Sequence, residues 1–303
     1  MYDIIVIGGG MAGMTACLYS LRNGKKTLLI EGNSIGGQIA QSPKVENYPT
    51  HTQISGVELS DKTFEQIEAL GVEFECDNVL GIDKVDNVFT VTGEFGSYQG
   101  YSVIIANGVK HRKLKLENEE KFIGKGVYYC ALCDGPFYAG KEVTLIGDGN
   151  TALQYALLLS NICSKVNLVI MFDKFFGDEE LVKAVESKTN IEITRNARTI
   201  ALEGKDELEK IVFERNDKST FEIANTPLFV AIGQIPDNAK FAKFADLDEM
   251  GYFLSDESTA TKTPGLFVAG DTRKKNVRQV TTAICDGAVS ATSACNYLNT
   301  LKL

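Results

Sequence analysis

Two cysteines spaced Cys130-Ala131-Leu132-Cys133 are the residues of this chain best suited to do chemistry. At that spacing the two sulfurs can close a short loop, and a disulfide of that kind is exchange-prone rather than structural. Three other readings stand beside it: half of a zinc site, buried thiols, or chance spacing. Zinc needs two further ligands. The chain has two histidines, His51 and His111, and its remaining cysteines are scattered, so no metal is expected. Asp134 follows directly, ahead of Gly135, in a place that also suits a turn residue.

A second constellation is built to bind. Gly8-x-Gly10-x-x-Gly13 follows the apolar run Tyr2–Ile7, opens an apolar-periodic segment at Met11, and is followed one strand later by Glu31. Gly8 permits the tight turn, Gly10 lets backbone approach a pyrophosphate, and Gly13 lets helix and strand pack closely. The helix start, with Met11 and Ala12, offers N–H groups and a positive dipole end to phosphates. Glu31 can accept hydrogen bonds from ribose hydroxyls. The pattern returns in outline as Gly147-x-Gly149-x-x-Ala152 after Glu142–Ile146, with Asp148 at its second position. Gly270-Asp271, after the apolar Leu266–Ala269, is a weaker signal: a carboxylate there suits a flavin ribityl hydroxyl, or only a helix cap.

These residues need elements to position them. Each glycine motif sits in a strand–turn–helix–strand order, the βαβ unit of a doubly wound sheet. Alternating stretches in Phe74–Glu94 and Glu192–Asn225 suggest β-meander pieces, and Val280–Leu298 reads as a closing helix. At 303 residues, two domains are the prior. The expected fold is α/β, with two doubly wound Rossmann-like (three-layer ββα) nucleotide-binding domains, the second inserted in the first. A net charge of −9 argues against nucleic acid, which needs a basic surface. The longest apolar runs, such as Ile4–Ile7 and Ala156–Leu159, fall far short of the roughly 20 residues of a membrane span, so no membrane association is expected. The chain opens directly into a strand pattern without a basic leader, which points to a cytoplasmic location.

With those residues in place, the chain resembles the low-molecular-weight thioredoxin reductases. The likeness is carried by Ile7–Gly13 with Glu31, Gly36-Gly37-Gln38, Val45-Glu46-Asn47-Tyr48-Pro49, Cys130–Gly135, Gly147–Ala152, and Gly270-Asp271 with Arg278-Gln279. The resemblance implies an FAD domain of residues 1–112 plus 237–303 and an inserted domain of residues 113–236 carrying the disulfide. It places Gly36, Gly37, Gln38, Asn47, Gly270, Asp271, Arg278, Gln279 and Val280 along FAD, beside the Gly8–Gly13 turn and Glu31. It puts Cys133 toward the flavin, makes Cys130 the attacking thiol on thioredoxin, and gives Asp134 the proton. A homodimer is implied as well.

One stretch departs from the family. Members that use NADPH carry arginines after the second βαβ unit to hold the 2′-phosphate. Here the spacing from Gly10 to Glu31, applied from Gly149, lands on Ile170, and the chain continues Met171-Phe172-Asp173-Lys174-Phe175-Phe176. The chain therefore resembles the branch that takes electrons from reduced ferredoxin. An acidic ferredoxin would need a basic patch, for which the candidates are Lys110-His111-Arg112-Lys113 with Lys115, and Arg273-Lys274-Lys275 with Arg278. The other options are an NAD(P)H enzyme with an atypical nucleotide site, or a second FAD among Phe172, Phe175 and Phe176.

Overall fold

The computed structural model describes residues 1–42 and 45–301. In chain order the first segment contains β1 (Tyr2–Ile7), α1 (Met11–Arg22), β2 (Thr27–Glu31), α2 (Gly56–Glu68), β3 (Glu73–Cys76), β4 (Val79–Val85), β5 (Val88–Gly93), β6 (Ser97–Ile105) and the two-residue β7 (Lys110–His111). There follow α3 (Glu119–Phe122), β8 (Val127–Tyr128), α4 (Ala131–Asp134), β9 (Glu142–Ile146), α5 (Asn150–Ile162), β10 (Lys165–Val169), α6 (Glu179–Glu186), β11 (Ile191–Thr194), β12 (Ala197–Glu203), β13 (Lys210–Arg215), β14 (Thr220–Ala224) and β15 (Leu228–Val230). The chain closes with β16 (Gln234–Ile235), β17 (Leu266–Val268) and α7 (Val280–Thr300).

Two units result, one of Met1–Lys110 with Ile235–Leu303 and one of His111–Gln234. Both dividing points fall within the paired short strands β7 and β16. In the first unit the order β3-β2-β1-β6 is parallel, β17 adds parallel to β6, and β5 and β4 continue antiparallel. The second unit has the parallel sheet β11-β10-β9-β15-β8 and a separate antiparallel meander β12-β13-β14.

The α/β expectation therefore holds, and the strand sequences show why. Side chains alternate across a strand, and a sheet covered on both faces needs apolar residues at every position. Ile4 and Val6 join one core with α1 and α7, while Ile5 and Ile7 join another with Phe241, Phe244 and Phe253. In the second unit Val143 and Leu145 pack toward α5, and Ile146, Val169 and Val230 pack toward the meander residues Leu202, Ile211 and Phe213. In the second unit helix, parallel sheet and antiparallel meander make three layers; in the first, β4 and β5 are continuous with the parallel sheet, and their Val79, Ile82, Phe89 and Val91 join Ile5 and Ile7 in one core. Among the described residues no helix is long and apolar enough to cross a membrane.

Candidate functional site

The first unit gathers the glycine residues at the carboxyl ends of β1 and β2. Gly8 turns at φ 110°, and a Cβ there would stand 2.4 Å from the Ala106 carbonyl oxygen; one on Gly13 would stand 1.8 Å from the Gly8 oxygen. Only glycine allows strand, turn and helix to approach this closely. The Gly9 N–H donates to Glu31 Oε2 at 2.6 Å and the Asn33 N–H to Oε1 at 2.7 Å, which fixes the carboxylate beside the turn. The Gly36 N–H donates to the Gly9 oxygen at 2.8 Å, so Gly36-Gly37 lies against Gly9-Gly10. Gln38 donates to the Val109 oxygen. No side chain caps α1 at Gly10, and no acid sits in its first turn, where Met11 and Ala12 lie.

The distant segments converge on the same place. A Cβ on Gly270 would meet Ala12 Cβ at 2.8 Å, and one on Gly287 would meet the Ala12 oxygen at 2.2 Å. Arg278 donates to the Asp271 carbonyl oxygen at 3.1 Å and lies over the Tyr252 ring. Asn47 donates to Gln279 Oε1 at 3.1 Å. Val280 packs against the first core, next to the capping box that Gln279 and Thr282 form at the start of α7. An adjoining cavity of about 260 Å³ is lined by Glu31, Asn33, Asn78, Asn107, Val109 and Lys240, among others. Asn107 and Lys240 carried no recognisable sequence signal beyond the glycine after β6.

These residues fit FAD. Asp271 Oδ1 is buried without a hydrogen-bond partner, the helix start is open to an anion, and the backbone around Gly10 has no side chain in the way.

In the second unit Cys130 and Cys133 are joined as a disulfide on either side of the first turn of α4. The Cys133 N–H points at Cys130 Sγ, 3.2 Å away, so that sulfur has a donor available when it carries charge. Asp134 is 6% exposed, and burial pushes its carboxyl up to about 7, near the point of gain and loss of a proton at neutral pH. Beside it Tyr138 donates to the Tyr128 hydroxyl, and both rings pack on Phe229.

The second glycine turn repeats the first in backbone only. Gly147 turns at φ 137°, with its Cβ position 2.3 Å from the Ala231 oxygen. The Phe176 N–H donates to the Asp148 oxygen at 2.7 Å, as Gly36 does to Gly9. Ile170 occupies the place of Glu31, but it is 0% exposed and belongs to the α5 core. Phe172 and Phe176 pack edge to face at the surface. A cavity of about 470 Å³ opens between Met171 and Phe172 on one side and Asn196, Arg198, Arg215 and Lys218 on the other. Those cations lie well beyond the loop where phosphate-binding arginines were sought, and sequence reading missed them.

The two expected basic patches are thinner than their sequences suggest. Arg273 and Lys275 are largely buried against Asp286, and Arg278 is held by backbone oxygens and Tyr252, leaving Lys274 exposed. At the other patch Lys113 pairs with Glu120, and His111 stacks on Tyr129, its pKa lowered to about 4 by burial and by nearby Lys113. A half-buried, neutral histidine adds no positive charge. Lys110, Arg112 and Lys115 remain exposed.

Comparison with known proteins agrees with this geometry. The pattern of the family described as pyridine nucleotide-disulphide oxidoreductase matches residues 2–287. The chain is 35% identical to a thioredoxin reductase of Treponema pallidum over 99% of this chain and 98% of that one. It is 36% identical to a 34.2 kDa protein of a Clostridium pasteurianum rubredoxin operon, covering 98% and 97%. The crystal structure of thioredoxin reductase from Streptococcus pyogenes superposes with a TM-score of 0.95 at 32% identity, covering 99% of each chain. The chain belongs to the pyridine nucleotide-disulphide oxidoreductase family, as a homologue of its FAD-binding, low-molecular-weight thioredoxin reductases.

Proposed function

We propose that the chain is a thioredoxin-disulfide reductase that delivers electrons through Cys130 and Cys133, and that it takes them from a protein donor, reduced ferredoxin, rather than from a nicotinamide nucleotide. The observation that carries the reductase reading is a bonded cysteine pair with a buried carboxyl beside it that titrates near neutrality. FAD, when bound, supplies a carrier able to take electrons singly and hand them on as a pair. Gly8, Gly10, Met11, Ala12 and Gly13 would face its phosphates, and Glu31 its adenosine ribose. Gly36, Gly37, Gln38, Asn47, Gly270, Asp271, Arg278, Gln279 and Val280 would line the remainder.

The protein's own steps balance. Two electrons and two protons open the Cys130–Cys133 bond to two thiols, with Asp134 holding or releasing one proton. Cys130 as thiolate attacks one sulfur of the substrate disulfide and displaces the other as a thiolate. Cys133 then attacks the Cys130 sulfur of the mixed disulfide, restores the intramolecular bond and frees the substrate dithiol.

The donor half rests on Ile170. An acid at that place would accept ribose hydroxyls of NADH, and arginines in the following loop would hold the NADPH phosphate; a core isoleucine and exposed phenylalanines do neither. One observation favours a second reading. Arg215 lines the cavity beside Met171 together with Arg198 and Lys218, both paired with Glu214, and these could take a nucleotide phosphate from another direction. Anaerobic titration of the oxidised protein with NADPH, NADH and reduced ferredoxin, following flavin bleaching, separates them. Bleaching by ferredoxin alone is expected, and rapid bleaching by micromolar NADPH overturns the protein-donor proposal. Cys133→Ser should leave a reducible flavin and no turnover of thioredoxin; persisting turnover would remove the disulfide from the path.

A further inference from the structure

Beneath the Gly270-Asp271 turn lies a compact group of four charges, of which only Asp271 has a role above. Asp286, on α7, accepts the Gly270 N–H at 3.0 Å and Lys275 Nζ at 3.1 Å on Oδ2, and Arg273 Nη1 at 2.6 Å on Oδ1. Arg273 spends its other donors on Ser255 Oγ at 2.7 Å and the Asp256 oxygen at 2.8 Å, so it is fixed in place. Lys275 bridges: its Nζ also stands 3.4 Å from Asp271 Oδ1 and 3.4 Å from Thr282 Oγ1. The side chains of Lys275 and Asp286 are 14% and 13% exposed. Asp286 directly precedes Gly287, where α7 meets the backbone of Ala12. The group thus sits where the first glycine turn, the Gly270-Asp271 turn and α7 meet.

Two cations and two carboxylates enclosed to this degree, with Asp271 the most open at 26% side-chain exposure, cost little only as a complete set, since each lost partner leaves a poorly compensated charge. Asp271 Oδ1 receives no well-formed hydrogen bond from this group and stays available. We propose that Lys275 and Asp286 are positioning residues for FAD: Asp286 holds the Gly270 turn and the Lys275 ammonium, and Lys275 keeps the Asp271 carboxylate charged and aimed at a flavin hydroxyl. The inference rests on the reading of Asp271 as a flavin contact. Burial is the largest influence on the Asp271 carboxyl and, with the facing Asp286, raises it on balance, against Lys275 and Arg278, which lower it; Tyr252 is the other titratable group beside it. Without Lys275, burial acts with less opposition, and Asp271 takes up its proton at a higher pH.

The test uses purified holoenzyme and measures FAD released on dilution, by its fluorescence, between pH 5.5 and 8.5. The wild type should retain FAD across that range. Lys275→Met should release FAD about tenfold more readily, the value expected for one lost charge-assisted contact, and the excess should grow as pH falls. Lys275→Arg should restore retention, and Lys274→Met, an exposed neighbour, should behave as wild type. Asp286→Asn should loosen FAD at every pH; if it fails to fold, the lysine series decides alone. Equal retention by Lys275→Met and wild type at every pH overturns the proposal while leaving the flavin reading intact. A wild type that holds no FAD overturns the flavin reading itself.

Discussion

The two glycine turns of this chain share a backbone and differ in what surrounds it. Gly8 and Gly147 both turn at positive φ against a strand carbonyl, and in each unit a later N–H closes onto the turn. In the first, the next strand ends in Glu31, whose carboxylate is held by two backbone N–H groups and faces a cavity of about 260 Å³. In the second, the same strand end is Ile170, turned into the core. A βαβ turn is kept by the need of strand and helix to approach each other; a nucleotide site needs, in addition, polar groups aimed outward. The first requirement outlasts the second, so a glycine motif testifies to packing before it testifies to a ligand.

Four substitutions would break or sharpen that comparison, from the largest expected effect to the smallest. Gly13→Val should be the most damaging, because its side chain would occupy the Gly8 carbonyl oxygen. Overpacking of this kind costs about 3 kcal/mol or more, and the variant should purify without flavin or not fold, read from the ratio of visible to ultraviolet absorbance. Next comes Ile170→Glu, which copies the first turn's acid into the second. Since Ile170 is enclosed by core, an isolated carboxylate there should destabilise the second unit by about 3 kcal/mol without creating NADH binding. A variant that melts like wild type and is bleached by NADH would show the turns to be equivalent after all.

Asp134 gives a pH-dependent third case. Its folded carboxyl titrates near 7 rather than near 3.8, so the folded protein binds this proton more tightly than the unfolded chain does. That contribution is present in full below about pH 3.8 and is lost as pH rises through about 7. Asp134→Asn removes the slope. Urea midpoints should therefore show the variant gaining on wild type by a few kcal/mol, to within about a factor of two, between pH 4 and pH 8, and a flat difference would mean the carboxyl is not buried. Smallest of the four is Gly149→Ala. Nothing lies within 4 Å of its Cβ position, and its counterpart Gly10 is nearly as open, with the Gly36 oxygen at 3.9 Å. A change within about 0.5 kcal/mol is expected, with flavin content unaltered; a large loss of stability would mean that the middle glycine of the second turn is not the open position its counterpart is.

Much of this was readable in the residues, because the information was local. Tyr2–Ile7 and Glu142–Ile146 are strands at the bounds their apolar runs suggest, and the helices begin at Met11 and Asn150, where the glycines end. Strands buried on both faces cannot alternate polar and apolar, so their runs stand out. The cysteine spacing is equally local. What escaped notice depends on residues far apart in the chain. Asp286 meets Gly270, Arg273 and Lys275 only because α7 folds back over the turn. Arg198, Arg215 and Lys218 reach the second cavity from the meander, beyond any window around the glycine motif. Charged runs misled in the opposite sense: Arg273-Lys274-Lys275 reads as a docking patch, yet two of its three cations are satisfied internally.

The sequence by itself determined the element order, the two glycine turns, the closely spaced cysteine pair and the isoleucine, in place of an acid, at the end of the second βαβ unit, since each follows from residue type at short spacing. The tertiary structure alone decided which charges are free. A side chain's pKa and availability follow from burial and from partners brought together across the chain. The Asp134 carboxyl therefore titrates near neutral pH, while His111, a titratable residue on any sequence list, is half-buried, neutral and stacked on Tyr129.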